Sequence, residues 1–148
     1  MANSKLTIER IFDANVELLW EIWTLPEYIE QWFGSDPYGA VQKVDIDLTI
    51  GGKFRIQFSD SDTSVHIARG EYLKIDKYKN LNMTWEWESE PNQISKLNVD
   101  FISMSDKTKI ILTHSNLVFE TVHNYEIGWR GAFDKIDNKI IKINADKK

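Results

Sequence analysis

The stretch from Thr121 to Ile143 constrains the fold more than any other part of the sequence. Its apolar residues recur at steps of three and four, namely Val122, Tyr125, Trp129, Phe133, Ile136, Ile140 and Ile143. This spacing is typical of one stripe along a helix of roughly six turns. A lone amphipathic helix must bury its stripe, and the chain before it consists mostly of strand-like segments. The pattern therefore predicts an α+β fold in which a curved antiparallel sheet wraps around a long C-terminal helix.

The chain begins with one predicted strand and two short predicted helices. Residues 5–12 alternate between apolar and polar side chains, as a strand with one buried face does, although Arg10 interrupts the apolar face. A short amphipathic helix follows the capping residues 13–15. Pro26 ends that helix and suits the first turn of a second one.

From Val41 onward the apolar residues alternate with a period of two, and short polar turns separate the segments. This pattern predicts six further strands in an antiparallel meander, so the sheet has about seven strands. Gly51-Gly52 is typical of a tight hairpin turn, and Gly70 indicates a bulge or a close approach inside a long strand. We expect a single domain that covers residues 1–148.

Composition excludes several classes of function. The chain has no cysteine, so disulfides and thiolate chemistry are excluded, and its net charge of −5 argues against nucleic acid as a partner. It has neither the apolar start of a signal peptide nor a run of about 20 apolar residues. We therefore expect a cytoplasmic protein without a membrane partner, acting as a monomer or a homodimer.

Aromatic residues are unusually frequent, with six Trp, five Tyr and seven Phe. Aromatic side chains bury large areas, so this set can either fill a core or line a cavity. The sequence leaves both alternatives open.

The three histidines are far apart, and none lies in a metal-binding spacing, so we expect neither a metal nor a cofactor. His114 shares strand parity with Ile110 and Leu112 and should point toward the helix. There it is either a hydrogen-bonded core residue or a polar anchor for a ligand. Glu126, at the edge of the helical stripe, is either a solvated flank or a carboxylate that faces a cavity.

Two glycines, Gly128 and Gly131, interrupt the predicted helix on either side of Trp129. Each glycine lowers the stability of the helix by about 1 kcal/mol relative to alanine at an interior position. Close packing of the helix or room for a ligand would explain them. We predict that Gly131 opens space beside Trp129.

The order of these elements resembles the START-related SRPBCC helix-grip superfamily and, more narrowly, the activator of heat-shock protein 90 ATPase homologue family. The resemblance covers roughly residues 6–141. It rests on Val16, Leu19, Trp20 and Trp23, on Pro26-Glu27 and Trp32-Phe33, on Gly51-Gly52-Lys53-Phe54, on Gly70-Glu71-Tyr72 and Thr84-Trp85, on the strand from Thr108 to His114, and on Gly128-Trp129. The loop after Trp32-Phe33 differs from that of many relatives, because here Ser35-Asp36 separates Gly34 from Pro37.

Three functions remain open: the apolar and aromatic residues suggest the first, and the resemblance implies the second and the third. The residues themselves give no positive sign of an enzyme. The first is non-catalytic binding of a small hydrophobic or amphipathic ligand between sheet and helix. The second is an interaction module that regulates a chaperone of the heat-shock protein 90 type. The third is an enzyme acting on a hydrophobic ketide or ring compound, with His114 or Glu126 as acid or base. For the first function we expect a ligand-binding wall formed by Trp20, Trp23, Phe54, Phe58, Met83, Trp85, Val99, Phe101, Leu112, His114, Glu126, Trp129 and Phe133.

Overall fold

The structure, a computed structural model, describes residues 4–143. The predicted domain of residues 1–148 extends at both ends beyond the described residues. In chain order the elements are β1 (Ser4–Phe12), α1 (Val16–Thr24), α2 (Pro26–Trp32), β2 (Ala40–Ile46), β3 (Lys53–Ser59), β4 (Val65–Asp76), β5 (Asn80–Trp87), β6 (Ser95–Met104), β7 (Lys107–Leu117), a 3₁₀ turn (Phe119–Thr121) and α3 (Val122–Lys135), which continues into a π-helical segment (Ile136–Ile141).

The seven strands form one sheet in the order β1-β7-β6-β5-β4-β3-β2. Every neighbouring pair is antiparallel, and from β2 to β7 each strand lies beside the next one in sequence. The predicted meander and the predicted fold are therefore confirmed. The alternation of the strands buries one face of the sheet, and α1, α2 and α3 cover that face.

The two short helices are fixed by local chemistry. The side chain of Asn15 caps α1 by accepting a hydrogen bond from the backbone N–H of Leu18, and Pro26 begins α2. Between the two helices, Nε1 of Trp32 donates to the backbone oxygen of Ile22 at 2.8 Å in a buried position. This hydrogen bond joins α2 to α1.

The last turns of the C-terminal helix differ from the prediction. The segment Ile136–Ile141 is π-helical, and its wider turn buries Ile140 and Ile141 together. Regular α-helical spacing would place Ile143 on the buried stripe, but this residue is 46% exposed. The wider turn shifts the register of the stripe and carries Ile143 away from the core.

The interruption of the β1 face by Arg10 has a structural role. Its Nη1 lies 2.8 Å from Oδ1 of Asp134 and 3.3 Å from Oδ2 of Asp137. The guanidinium also lies over the ring of Phe133, 5.5 Å from its centroid. Arg10 thus joins the edge strand to the C-terminal helix.

Gly70 marks a close approach, one of its two predicted roles. A Cβ atom there would overlap the carbonyl oxygen of Thr84 and come within 2.7 Å of the Phe54 ring. A register shift follows two residues later, between Tyr72 and Lys74. No helix within residues 4–143 has the length and apolar character needed to cross a membrane.

Candidate functional site

A cavity of about 360 Å³ opens between the inner face of the sheet and the first turns of α3. Small-molecule sites typically enclose roughly 300–1,000 Å³ and have apolar or aromatic walls. Six aromatic side chains line the cavity: Phe33, Phe58, Trp85, Trp87, Tyr125 and Trp129. The remaining wall is made of small and polar residues: Gly34, Ser35, Asp60, His66, Glu90, Thr121, Asn124, Gly128 and Ala132.

Strand and helix periodicity bring these rings together. Trp85 and Trp87 are two residues apart on β5, so both face inward, and their rings meet nearly at right angles with centroids 5.6 Å apart. Tyr125 and Trp129 are one turn apart on α3 and contribute the helix side of the wall. The ring centroids of Trp129 and Trp85 are 5.3 Å apart. Those of Tyr125 and Trp87 are 6.4 Å apart, and these two rings are nearly parallel.

Polar groups surround the mouth of the cavity. Nε2 of His66 lies 2.9 Å from Oδ2 of Asp60, and Glu90 and Asn124 are exposed beside this pair. The wall contains no lysine or arginine from residues 4–143. The cavity is therefore apolar inside and acidic at its rim.

A carboxylate holds the loop that forms one side of this mouth. Asp36 accepts hydrogen bonds from the backbone N–H and the hydroxyl of Ser61 at 2.8 and 2.7 Å, and from the N–H of Tyr38 at 2.9 Å. These donors lower the pKa of Asp36 to about 2. The loop that carries Gly34 and Ser35 is thereby tied to the turn between β3 and β4.

The two helix glycines have different surroundings. A Cβ atom on Gly128 would meet nothing within 4 Å, and this residue lines the cavity. A Cβ atom on Gly131 would lie 2.7 Å from the carbonyl oxygen of Ser35. The expectation that Gly131 opens space beside Trp129 is therefore wrong. Gly131 allows the loop after α2 to approach the helix, and Gly128 is the glycine that leaves space.

His114 is fully buried in the core, outside the cavity wall, and both of its ring nitrogens are occupied. Nε2 lies 2.7 Å from the hydroxyl of Ser95, which in turn donates to the backbone oxygen of Trp85. Nδ1 accepts from Nε1 of Trp129 at 3.1 Å. Burial lowers the pKa of His114 to about 3, so the ring is neutral and donates from Nε2. Of its two predicted roles, the structure supports the hydrogen-bonded core residue.

Glu126 lies on the solvated flank of α3 and does not line the cavity. Its carboxylate pairs with Nε of Arg130 at 3.0 Å, one turn later on the helix, and its side chain is 43% exposed. Among its two predicted positions, the structure therefore supports the flank.

The other predicted wall residues divide into three sets. Phe58, Trp85 and Trp129 line the cavity. A second space of about 30 Å³, little more than one water molecule, is lined by Trp23, Phe54 and Met83 together with Trp85 and Trp129. Neither space is lined by the remaining core residues, which are Trp20, Val99, Phe101, Leu112 and Phe133. These side chains fill the deep core, where Trp20 of α1 packs against Phe101 of β6 and Phe133 of α3 packs against Phe12 of β1.

Sequence reasoning missed several wall residues, and the sequence carried a signal for only two of them. Trp87 shares the inward face of β5 with Trp85, and Tyr125 belongs to the helical stripe. Phe33 follows the last residue of α2, so periodicity alone does not give its direction. His66 lies opposite Phe58 in the register of β3 and β4, a pairing that only the structure reveals.

The described residues contain no group of three or more His, Cys, Asp or Glu side chains that could hold a metal ion. Residues 13–140 match the family model described as activator of Hsp90 ATPase homolog 1-like protein. No curated protein matches the chain significantly.

Solved structures share the fold at low sequence identity. The AHSA1-like protein from Aeromonas hydrophila is 19% identical with a TM-score of 0.80, and the match covers 95% of this chain and 94% of that one. CalU16 from Micromonospora echinospora is 24% identical with a TM-score of 0.73, covering 92% and 73%. DynU16 is 17% identical with a TM-score of 0.74, covering 90% and 45%. With seven antiparallel strands around a C-terminal helix and a family match over residues 13–140, the chain belongs to the activator of Hsp90 ATPase homolog 1-like family.

Proposed function

We propose that the protein binds a small hydrophobic or amphipathic molecule in the cavity between sheet and α3 without changing it chemically. The observation that carries this proposal is a space of about 360 Å³ with six aromatic rings in its wall. Transfer of apolar ligand surface from water to such a wall is favourable by about 25 cal/mol per Å². The acidic rim suits an amphipathic ligand whose polar end stays at the mouth.

Gly128 supports this proposal because it costs helix stability and leaves space where the cavity opens. A protein selected only for a packed core would gain from alanine at this position. The wall residues Trp85 and Trp129 also couple the cavity to intrinsic fluorescence.

The test uses an uncharged environment-sensitive dye, N-phenyl-1-naphthylamine. We expect saturable binding at one site with a change in tryptophan emission, because Trp85, Trp87 and Trp129 form the wall. Mass spectrometry should recover the dye unchanged after prolonged incubation. An absence of saturable binding would overturn the proposal.

A second candidate function is regulation of a heat-shock protein 90 type chaperone, which the family description suggests. The outer face of the sheet offers a surface for it: Ile11 and Ile102 are 50% and 41% exposed and flank Lys109 across three strands. Purified protein should then change the ATP turnover of the chaperone, and Ile102→Asp should reduce that effect. Unchanged turnover at a saturating concentration removes this candidate.

The third candidate, an enzyme acting on a ketide or ring compound, draws on the similarity to DynU16, a protein in the dynemicin biosynthetic locus. Neither His114 nor Glu126 borders the cavity, so an acid–base role would fall to His66 beside Asp60. A new product mass after incubation with aromatic ketones, lost in His66→Gln, would favour this candidate over simple binding.

A further inference from the structure

His66 brings an imidazole into the aromatic wall of the cavity. It lies two residues before the buried Ala68 on β4, so both side chains point to the same inner face of the sheet. The imidazole lines the cavity beside Phe58 and Trp87, whose ring centroids are 5.3 and 6.1 Å away from its own. These contacts make the polar ring part of an otherwise apolar surface.

Asp60 determines which nitrogen of this ring carries the hydrogen. Nε2 of His66 lies 2.9 Å from Oδ2 of Asp60. An ionised carboxylate can only accept, so in the neutral imidazole the hydrogen lies on Nε2 and Nδ1 keeps a lone pair. The backbone N–H of Asp60 donates to the carbonyl oxygen of Ser64, and its own carbonyl oxygen accepts from the N–H of Thr63, each at 2.9 Å. This closed turn positions the carboxylate beside the ring.

Nδ1 of His66 is therefore an acceptor that lacks a donor. It has no hydrogen-bond partner among residues 4–143, and it is not sealed from solvent. Because the imidazole lines the cavity, a ligand there can reach this atom. A ligand group with an O–H or N–H would complete the hydrogen bond, whereas an oxygen that only accepts would face the lone pair of Nδ1.

The charges beside this wall favour an uncharged donor over an ammonium group. Lys135 of α3 is only 5% exposed. Burial and the neighbouring Lys139 lower the pKa of Lys135, whereas the negative charges of Asp36 and Asp60 oppose that change. An ammonium group of a ligand would meet this cation and would lose its hydration against aromatic rings. A hydroxyl group avoids both costs.

We propose that the ligand of this cavity is an aromatic ring compound with a hydroxyl group, and that this hydroxyl donates a hydrogen bond to Nδ1 of His66. The rings of Phe58 and Trp87, which lie beside the imidazole, contact the apolar part of the compound. Asp60 is the positioning residue, because it keeps the hydrogen on the opposite nitrogen. This inference rests on the proposed ligand-binding function and adds the hydrogen-bonding group of the ligand.

Three naphthalenes test the proposal: 2-naphthol, 2-methoxynaphthalene, whose oxygen carries no hydrogen, and 2-methylnaphthalene, which has no oxygen. Dissociation constants are measured by displacement of the neutral dye from the wild-type protein and from His66→Phe, after the dye affinity of each protein has been determined. The substitution keeps a flat ring in the wall and removes both nitrogens. The affinity for 2-naphthol should fall about five- to tenfold, while the affinities for the other two compounds change by less than about twofold.

His123→Phe is the matched control, because it makes the same substitution at an exposed histidine of α3 outside the wall. All three compounds should bind this variant as they bind the wild-type protein. A second measurement needs no substitution in the binding protein. Nitrogen NMR of the imidazole at mildly alkaline pH, where histidine is ordinarily neutral, should show the hydrogen of His66 on Nε2. Added 2-naphthol should shift the Nδ1 resonance, and 2-methoxynaphthalene should not.

The outcomes separate this inference from the proposed function. Equal weakening of 2-naphthol and 2-methoxynaphthalene in His66→Phe would overturn the hydroxyl site and leave ligand binding intact. A hydrogen on Nδ1 in the free wild-type protein would also overturn it, even if His66→Phe does not fold. Tighter binding of the cationic 2-(aminomethyl)naphthalene than of 2-naphthol, lost in His66→Phe, would assign the site to an ammonium donor instead. If neither the dye nor any naphthalene binds, the proposed function fails, and this inference fails with it.

Discussion

Nδ1 of His114 accepts a hydrogen bond from Nε1 of Trp129 at 3.1 Å, within the core. The opposite ring nitrogen lies 2.7 Å from the hydroxyl of Ser95, which donates onward to the backbone of Trp85. One neutral imidazole thus connects α3 with β5, β6 and β7. The same hydrogen bond holds the indole of Trp129 in the cavity wall, so a core residue determines the shape of the site without lining it.

This arrangement predicts acid sensitivity. The pKa of His114 is near 6.5 in an unfolded chain and about 3 in the folded protein, so the unfolded state binds more protons between these values. The free energy of unfolding should therefore decrease as pH falls from about 6.5 toward 3, by up to about 1.4 kcal/mol per pH unit from this group. Denaturant titrations of wild type and His114→Gln over this pH range isolate the contribution of the imidazole, since all carboxyl groups are common to both proteins. Equal slopes in the two proteins would contradict the assignment.

The two helix glycines should respond to alanine with opposite signs. Gly128→Ala adds a methyl group to open space and should raise the free energy of unfolding by up to about 1 kcal/mol. Gly131→Ala places its Cβ 2.7 Å from the backbone oxygen of Ser35 and should lower it by about 1–3 kcal/mol. Urea midpoints of the two variants check the pair, each serving as the control for the other. The same sign in both would show that the loop after α2 yields easily.

A larger side chain at the same open position tests the cavity directly. Gly128→Leu should retain or exceed wild-type stability, because the new side chain occupies the space beside Trp129. Dye affinity should fall by at least about tenfold. His123→Leu, which adds a leucine at an exposed position on the same helix outside the wall, is the control and should bind normally. Undiminished binding by Gly128→Leu would place the dye elsewhere.

The carboxylate of Asp36 should control the order of the cavity mouth. Asp36→Ala removes the acceptor for Ser61 and Tyr38, so the amide of Ser61 should exchange with deuterium faster and dye affinity should fall. In the wild-type protein, the pKa of about 2 means that this contribution is present above about pH 4 and is lost as the pH approaches 2. Amide exchange followed by NMR measures the effects of the substitution and of pH on the loop, and dye titration measures the affinity. An unchanged exchange rate at Ser61 would show that the loop is held by other contacts.

Metal removal should have no effect on folding. Residues 4–143 bring no three metal-binding side chains together, and a structural metal would couple strongly to stability. Thermal midpoints with and without a chelator should therefore agree within error. A decrease of several degrees with the chelator would reveal a metal site.

The sequence by itself determined the architecture. The change of apolar period from two to about 3.6 located the strands and the C-terminal helix, because burial of one face forces that alternation. It also identified the aromatic residues that surround the helix, and it marked Gly128 and Gly131 as unusual. These features are local, since each depends on residues within a few turns of one another.

Only the tertiary structure decided which aromatic residues line a space and which fill the core. Trp20 and Trp85 both follow an inward pattern, yet only Trp85 borders the cavity, whereas Trp20 packs against Tyr78 and Phe101 in the core. The same holds for His66 on β4 and His114 on β7, of which only His66 borders the cavity. Periodicity gives the face on which a side chain lies, whereas the void depends on how far two elements stand apart. That separation is set by long-range contacts such as Ser35 against Gly131, which no local pattern encodes.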